Sequence, residues 1–138
     1  MALKIRTVQG DINPEQLGPT NMHEHLIREA GTVEVLHDKD FLMDDADKAA
    51  QELADFRDHG GGGLLDAQPI GCGRNITKYR YIAEKVPEVP IIATTGFHKS
   101  EFYLPTHWVY DYSIEEMVPL LLADIYEGIE INDYNGPV

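Results

Sequence analysis

Residues 20–26 read TNMHEHL, which sets His23 and His25 two positions apart with Glu24 between them. In an extended segment, residues i and i+2 project from the same face, so the two imidazoles would emerge side by side. On a helix the same spacing would turn them roughly 200° apart. Neutral imidazole is a good ligand for zinc and similar divalent metals. The extended reading therefore makes His23 and His25 a candidate chelating pair, with Glu24 facing the other way and not counted as a ligand. Two hydrogen-bonded histidines at a strand end are the alternative that the triplet alone leaves open. A catalytic zinc normally takes about three protein ligands plus water, so the pair by itself is not a site.

The other histidines are His37, His59, His98 and His107. His59 ends a predicted helix, where an imidazolium favours the dipole, and reads as structural. His37 and His107 fall in polar loops and read as solvated. His98 follows a predicted strand; it either faces the same opening as a further ligand or, the favoured reading, lies with Phe97 at the rim of a substrate pocket. Asp66 closes another strand; it either supports a ligand from behind or hydrogen-bonds the next loop. Cys72 has no neighbour that marks it as a nucleophile and reads as a small apolar filler. Gly60–Gly63 lacks a following Lys-Ser/Thr, and Gly71-Cys72-Gly73-Arg74 does not fit a dinucleotide fingerprint, so neither is a phosphate cradle.

These residues need elements to hold them. KIRTV (residues 4–8) alternates like a short strand, and residues 10–14 break it. Gly18 and Pro19 argue against a helix before the histidines, so a strand ends near His25. Residues 44–59 place Ala46, Ala49, Ala50, Leu53 and Phe56 at helical spacing, capped by Asp44 or Asp45 and ended by Gly60. LLDAQ then reads as a buried strand. Asn75 opens a second helix that stops at Pro87, and VPIIATTG is a third β/α-type strand. After an aromatic loop, Ser113 and Glu116 form a capping box. That last helix carries Ile114, Met117, Leu121, Ile125 and Ile129 on one stripe, and Pro119 should kink it or delay its start. Apolar strands alternating with amphipathic helices imply an α/β fold with a parallel sheet. In a β/α barrel the C-terminal strand ends form the active face, which is where the histidine pair stands.

Composition narrows the function classes. Eleven basic residues against 24 acidic ones give a formal charge of −13 over 138 residues, a field that repels nucleic acid. No run approaches the roughly 18 apolar residues of a membrane span, and the N-terminus has no signal-peptide pattern. One cysteine excludes an internal disulfide and fits a reducing cytoplasm. A small-molecule substrate is expected, with no nucleic acid or membrane partner and with homo-oligomers possible.

Four segments taken in order carry a family resemblance: RTVQGDINPEQLGPTNMHEHL, GGGLLDAQPIGCGRN, IIATTGFHKSEFYLP and SIEEMVPLLLADIYEGIE. Together they resemble the N-terminal portion of the phosphotriesterase-like family of the amidohydrolase superfamily, from about Lys4 to Glu130. Asn75 stands where that family often has Asp, and Pro119 is unusual in its helix. The resemblance implies a (β/α)8 barrel and a metal-dependent hydrolase of ester, lactone or phosphotriester bonds. It implies two divalent metals, commonly zinc, bridged by hydroxide and a carboxylated lysine, with His23 and His25 as ligands of the more buried ion. A whole barrel of this type takes about 250 residues. Residues 1–138 are thus expected to be the N-terminal part of one barrel domain, about three β/α units, truncated before a fourth strand. The remaining metal ligands and the catalytic base would lie beyond Val138, so no catalytic residue is assigned within the chain, and the fragment alone is expected to be inactive. The competing expectation is a non-catalytic short protein that assembles with another chain.

Overall fold

In the computed structural model, residues 3–29 and 36–129 are described. Glu130, the end of the last family-like segment, lies outside them, as does the NDYNGPV terminus. The alternating KIRTV segment forms β1 (Ile5–Thr7), paired antiparallel with β2 (Gly10–Ile12) in the register Thr7↔Gly10. Gly10, read from sequence as part of a breaker, instead opens a second strand. Its φ of +115° lies where a side chain is disfavoured, and that lets the chain reverse over Val8 and Gln9.

Three further strands form a parallel sheet in the order β3 (Thr20–Glu24), β4 (Gly63–Asp66), β5 (Ile91–Ala93). Helix α1 (Ala46–Asp58) connects β3 to β4, and α2 (Ile76–Lys85) connects β4 to β5. Local sequence explains both ends of α1. Asp45 accepts hydrogen bonds from the amides of Asp47 and Lys48, satisfying two donors that a helix start leaves open. His59 caps the other end, its Nδ1 lying 2.7 Å from the Asp55 carbonyl, so its structural reading holds.

The glycine run is a packing device. A Cβ on Gly62 would stand 2.7 Å from the Gly18 Cα, and the Gly62 amide donates to the Pro19 carbonyl at 2.8 Å. The bare backbone lets the chain entering β3 lie directly against the chain entering β4.

The described residues group into two compact units. The first (Met1–Ile27, Asp45–Ala67, Thr77–Thr94) contains all five strands and α1, and its core includes Ile27, Leu53, Leu64, Tyr79, Ile82, Val89 and Ile91. The second (Arg28–Asp44, Gln68–Ile76, Thr95–Val138) contains the aromatic loop and α3 (Ile114–Tyr126). The Ser113–Glu116 capping box forms as read, and α3 starts at Ile114 and runs through Pro119, so its start is not delayed. The apolar stripe is shifted from the one expected: Ile114 is 75% and Ile125 52% exposed, while Met117 and Leu121 are half-buried. The cause is polar. Asp124 meets the buried Arg74 guanidinium at 3.4 Å and accepts from the Thr95 hydroxyl, which turns the 117–121–124 face inward within that unit.

Candidate metal-ligand site at the end of the sheet

In the first unit, β3 ends at Glu24 and the histidines bracket that end. The rings of His23 and His25 lie with centroids 5.4 Å apart at an interplanar angle of 74°. His23 is exposed and His25 half-buried. The two imidazoles thus stand side by side, but simple strand alternation is not the whole reason. The β3–β4 register runs Thr20↔Gly63, Asn21↔Leu64, then Glu24↔Asp66, so three steps on β3 face two on β4. This is a β-bulge, which bends a strand and re-aims its side chains.

A bulge disturbs the ladder hydrogen bonds, and side chains supply partners here. The His23 amide donates to Asn21 Oδ1 at 3.2 Å, and the His25 amide donates to Glu24 Oε1 at 2.9 Å. Asn21 Nδ2 donates to Glu24 Oε2 at 3.1 Å and joins the two. One residue further, the Leu26 amide donates to Asp66 Oδ2 at 2.7 Å. Asp66 is fully buried, and its Oδ1 accepts from the Tyr79 hydroxyl at 2.7 Å. Asp66 thus bonds the segment that leaves the histidine pair. Asn21, Glu24 and Tyr79 were not singled out as site residues. The signal for Asn21 was present: an Asn two residues before a strand-end His offers its side chain to that amide.

Phe97 and His98 belong to the second unit. Phe97 packs edge-on to Trp108 at 5.9 Å. His98 is exposed, stacks on Phe102 at 3.7 Å, and accepts the Lys99 amide on Nδ1 at 2.7 Å. The Tyr103 hydroxyl accepts from the His98 amide and donates to the Ile70 carbonyl, and burial pushes that phenol's pKa well up. His107, read as solvated, is half-buried, 4.7 Å from the Tyr103 ring, and burial lowers its pKa. Cys72 is buried, as a filler should be. Among the described residues no group of three or more His, Cys, Asp or Glu side chains is gathered for a metal. The donor chemistry of His23 and His25 fits two ligands of such an ion and does not complete its shell.

The phosphotriesterase family model matches residues 3–135. This chain belongs to the phosphotriesterase family. A curated relative from Mycoplasmopsis synoviae, named phospho-furanose lactonase, is 40% identical over 136 residues, covering 96% of this chain and 38% of that protein. The crystal structure of an amidohydrolase from Mycoplasma synoviae superposes with a TM-score of 0.89 at 39% identity, covering 98% of this chain and 39% of the other. A lactonase from Listeria monocytogenes superposes at 0.84 with 27% identity, covering 97% and 45% respectively. The chain thus spans about two-fifths of the length of these relatives, and its α/β architecture is the N-terminal part of a (β/α)8 barrel. Among the described residues, no helix is long and apolar enough to cross a membrane.

Proposed function

We propose that this chain carries one metal-binding arm of a divalent-metal-dependent hydrolase that cleaves ester bonds in small molecules, with lactones and phosphotriesters as the substrate classes. The observation that supports it most is the side-by-side placement of His23 and His25 where β3 ends, at the C-terminal end of a parallel strand. The lactonase relatives favour a lactone over a phosphotriester. His23 and His25 would hold the metal through ring nitrogens, with zinc the ion proposed and two ions in a whole barrel. When bound, such an ion polarises the attacked carbonyl or phosphoryl oxygen and makes water a stronger nucleophile at neutral pH. The chain's own residues orient the imidazoles and hold their backbone. Two imidazoles do not fix an ion in a catalytic geometry, so the 138-residue chain alone is proposed to be inactive. A cytoplasmic setting suits a chain with a single, buried cysteine.

Calorimetric titration of the chain with Zn²⁺ tests the reading. Weak, saturable binding that is lost in both His23→Ala and His25→Ala is expected; binding that survives both substitutions refutes the assignment. Assays of the same chain with lactone and phosphotriester substrates in Zn²⁺ should show no turnover above buffer.

A second reading has its own observation. Ile114, Val118, Leu122 and Ile125 on α3 are 43–75% exposed, a surface that favours a chain assembling with another copy or another protein. Light scattering separates the two: a compact dimer at micromolar concentration supports assembly, and a monomer counts against it.

A further inference from the structure

We infer that Asn21 and Glu24 are positioning residues that set the orientation of the histidine pair, an inference that rests on the metal-ligand reading of His23 and His25. The bulge between Asn21 and Glu24 interrupts the ladder across His23, and the ladder resumes where the Glu24 carbonyl accepts from the Ala67 amide at 2.8 Å, so it does not by itself fix both imidazoles. Their amides are instead held by the two side chains flanking His23. Asn21 Oδ1 takes the His23 amide at 3.2 Å and Glu24 Oε1 takes the His25 amide at 2.9 Å. The 3.1 Å bond from Asn21 Nδ2 to Glu24 Oε2 closes the brace.

The donor and acceptor pattern is specific. An amide at position 21 supplies one acceptor and one donor; a carboxylate at position 24 supplies two acceptors. Every one of the three bonds needs that arrangement. Glu24→Gln sets an NH₂ against an NH₂: if the Asn21 amide turns to relieve this, the His23 amide loses its acceptor. Asn21→Asp sets two carboxylate oxygens against each other. The double variant Asn21→Asp/Glu24→Gln restores a donor between the two side chains and keeps an acceptor for each histidine amide. It also keeps the net charge of the pair. Asn21 and Glu24 are both half-buried rather than in the core, so the substitutions test orientation more than packing.

The experiment compares the full chain with both single variants and the double. Two readouts are taken: nuclear Overhauser contacts between the two imidazole rings with amide exchange at positions 23 and 25, and Co²⁺ titration followed by visible absorption. Each single variant should weaken the inter-ring contact, speed amide exchange and lower Co²⁺ affinity about tenfold, the scale on which supporting partners affect metal sites. The double variant should return to within about threefold of the parent. Singles that behave as the parent, or a double that is as impaired as the two singles combined or fails to fold, overturn the inference. If the parent chain does not bind Co²⁺, the metal reading falls, while ring contacts and amide exchange still decide whether the brace orients the pair.

Discussion

The Asp66 carboxylate offers the sharpest test of how the sheet end is built. It is fully buried and accepts two hydrogen bonds of 2.7 Å, from the Leu26 amide and the Tyr79 hydroxyl. Asp66→Ala leaves a buried amide and a buried phenol without that acceptor. Each such loss costs about 1–3 kcal/mol, so the variant should lose about 2–6 kcal/mol in all. Tyr79→Phe removes one donor to a charged group and should cost about 1.5–3 kcal/mol. Asp66→Asn is milder than Asp66→Ala: its oxygen still accepts from Leu26 and its NH₂ can donate to the Tyr79 oxygen, but the Tyr79 hydroxyl must rotate and loses this acceptor. The predicted order is therefore Ala at 66 worse than either Phe at 79 or Asn at 66. Urea unfolding followed by circular dichroism reads the order, and the Asp66→Ala/Tyr79→Phe cycle reads the coupling. An Asp66→Ala cost within the roughly 0.5 kcal/mol typical of surface sites, or additive single effects, would refute the reasoning.

Three further outcomes are expected. Gly62→Ala should destabilise by about 1–3 kcal/mol, because its Cβ meets backbone rather than a movable side chain; a thermal melt checks it, and an unchanged midpoint counts against the close-approach account. His107 is lowered below its usual range by burial, so the unfolded chain binds a proton that the folded chain resists. Stability is then fullest above about pH 6.5 and falls as the solution is acidified below it; denaturant midpoints at pH 7.5 and 5.5 should differ less in His107→Gln than in the parent. Glu116 is held below the usual carboxylate range by the Ser113 amide and hydroxyl. Ser113→Ala should move its carbon-detected titration back toward the ordinary value, and no movement would mean the box does not persist in solution.

Most of the architecture is legible because period and punctuation agree along the chain. Asp45, Gly60 and Ser113 mark helix ends by chemistry that acts locally, and each does so where the structure places an end. The features that escaped are those decided by partners distant in sequence. β2 looked like a turn because Gly10 and Asp11 carry no strand propensity; it forms because β1 pairs with it. The buried face of α3 could not be read from its apolar residues, which surround much of the helix, and is chosen by Asp124 reaching Arg74 fifty positions earlier. His107 looked solvated from its polar neighbours, and the rings of Tyr103 and Trp108 cover it.

The side-by-side placement of the two histidine rings has more than one cause. Alternation along an ideal strand would align His23 with His25 without help, and on that logic Glu24 is a bystander. The bulge breaks that logic, since an extra residue within a strand shifts everything after it relative to the neighbouring strand. Glu24 then becomes necessary, because the His25 amide bonds to its carboxylate. Asp66 fixes the next amide, and Leu26 and Ile27 plunge into the core immediately afterwards. The two imidazoles are thereby carried on a short backbone segment pinned at three amides: that of His23 by Asn21, that of His25 by Glu24 and that of Leu26 by Asp66. Such pinning limits the conformational freedom that ligand capture must remove. Pinning of this kind acts on the orientation of the pair, and among the described residues it gathers no third donor beside them.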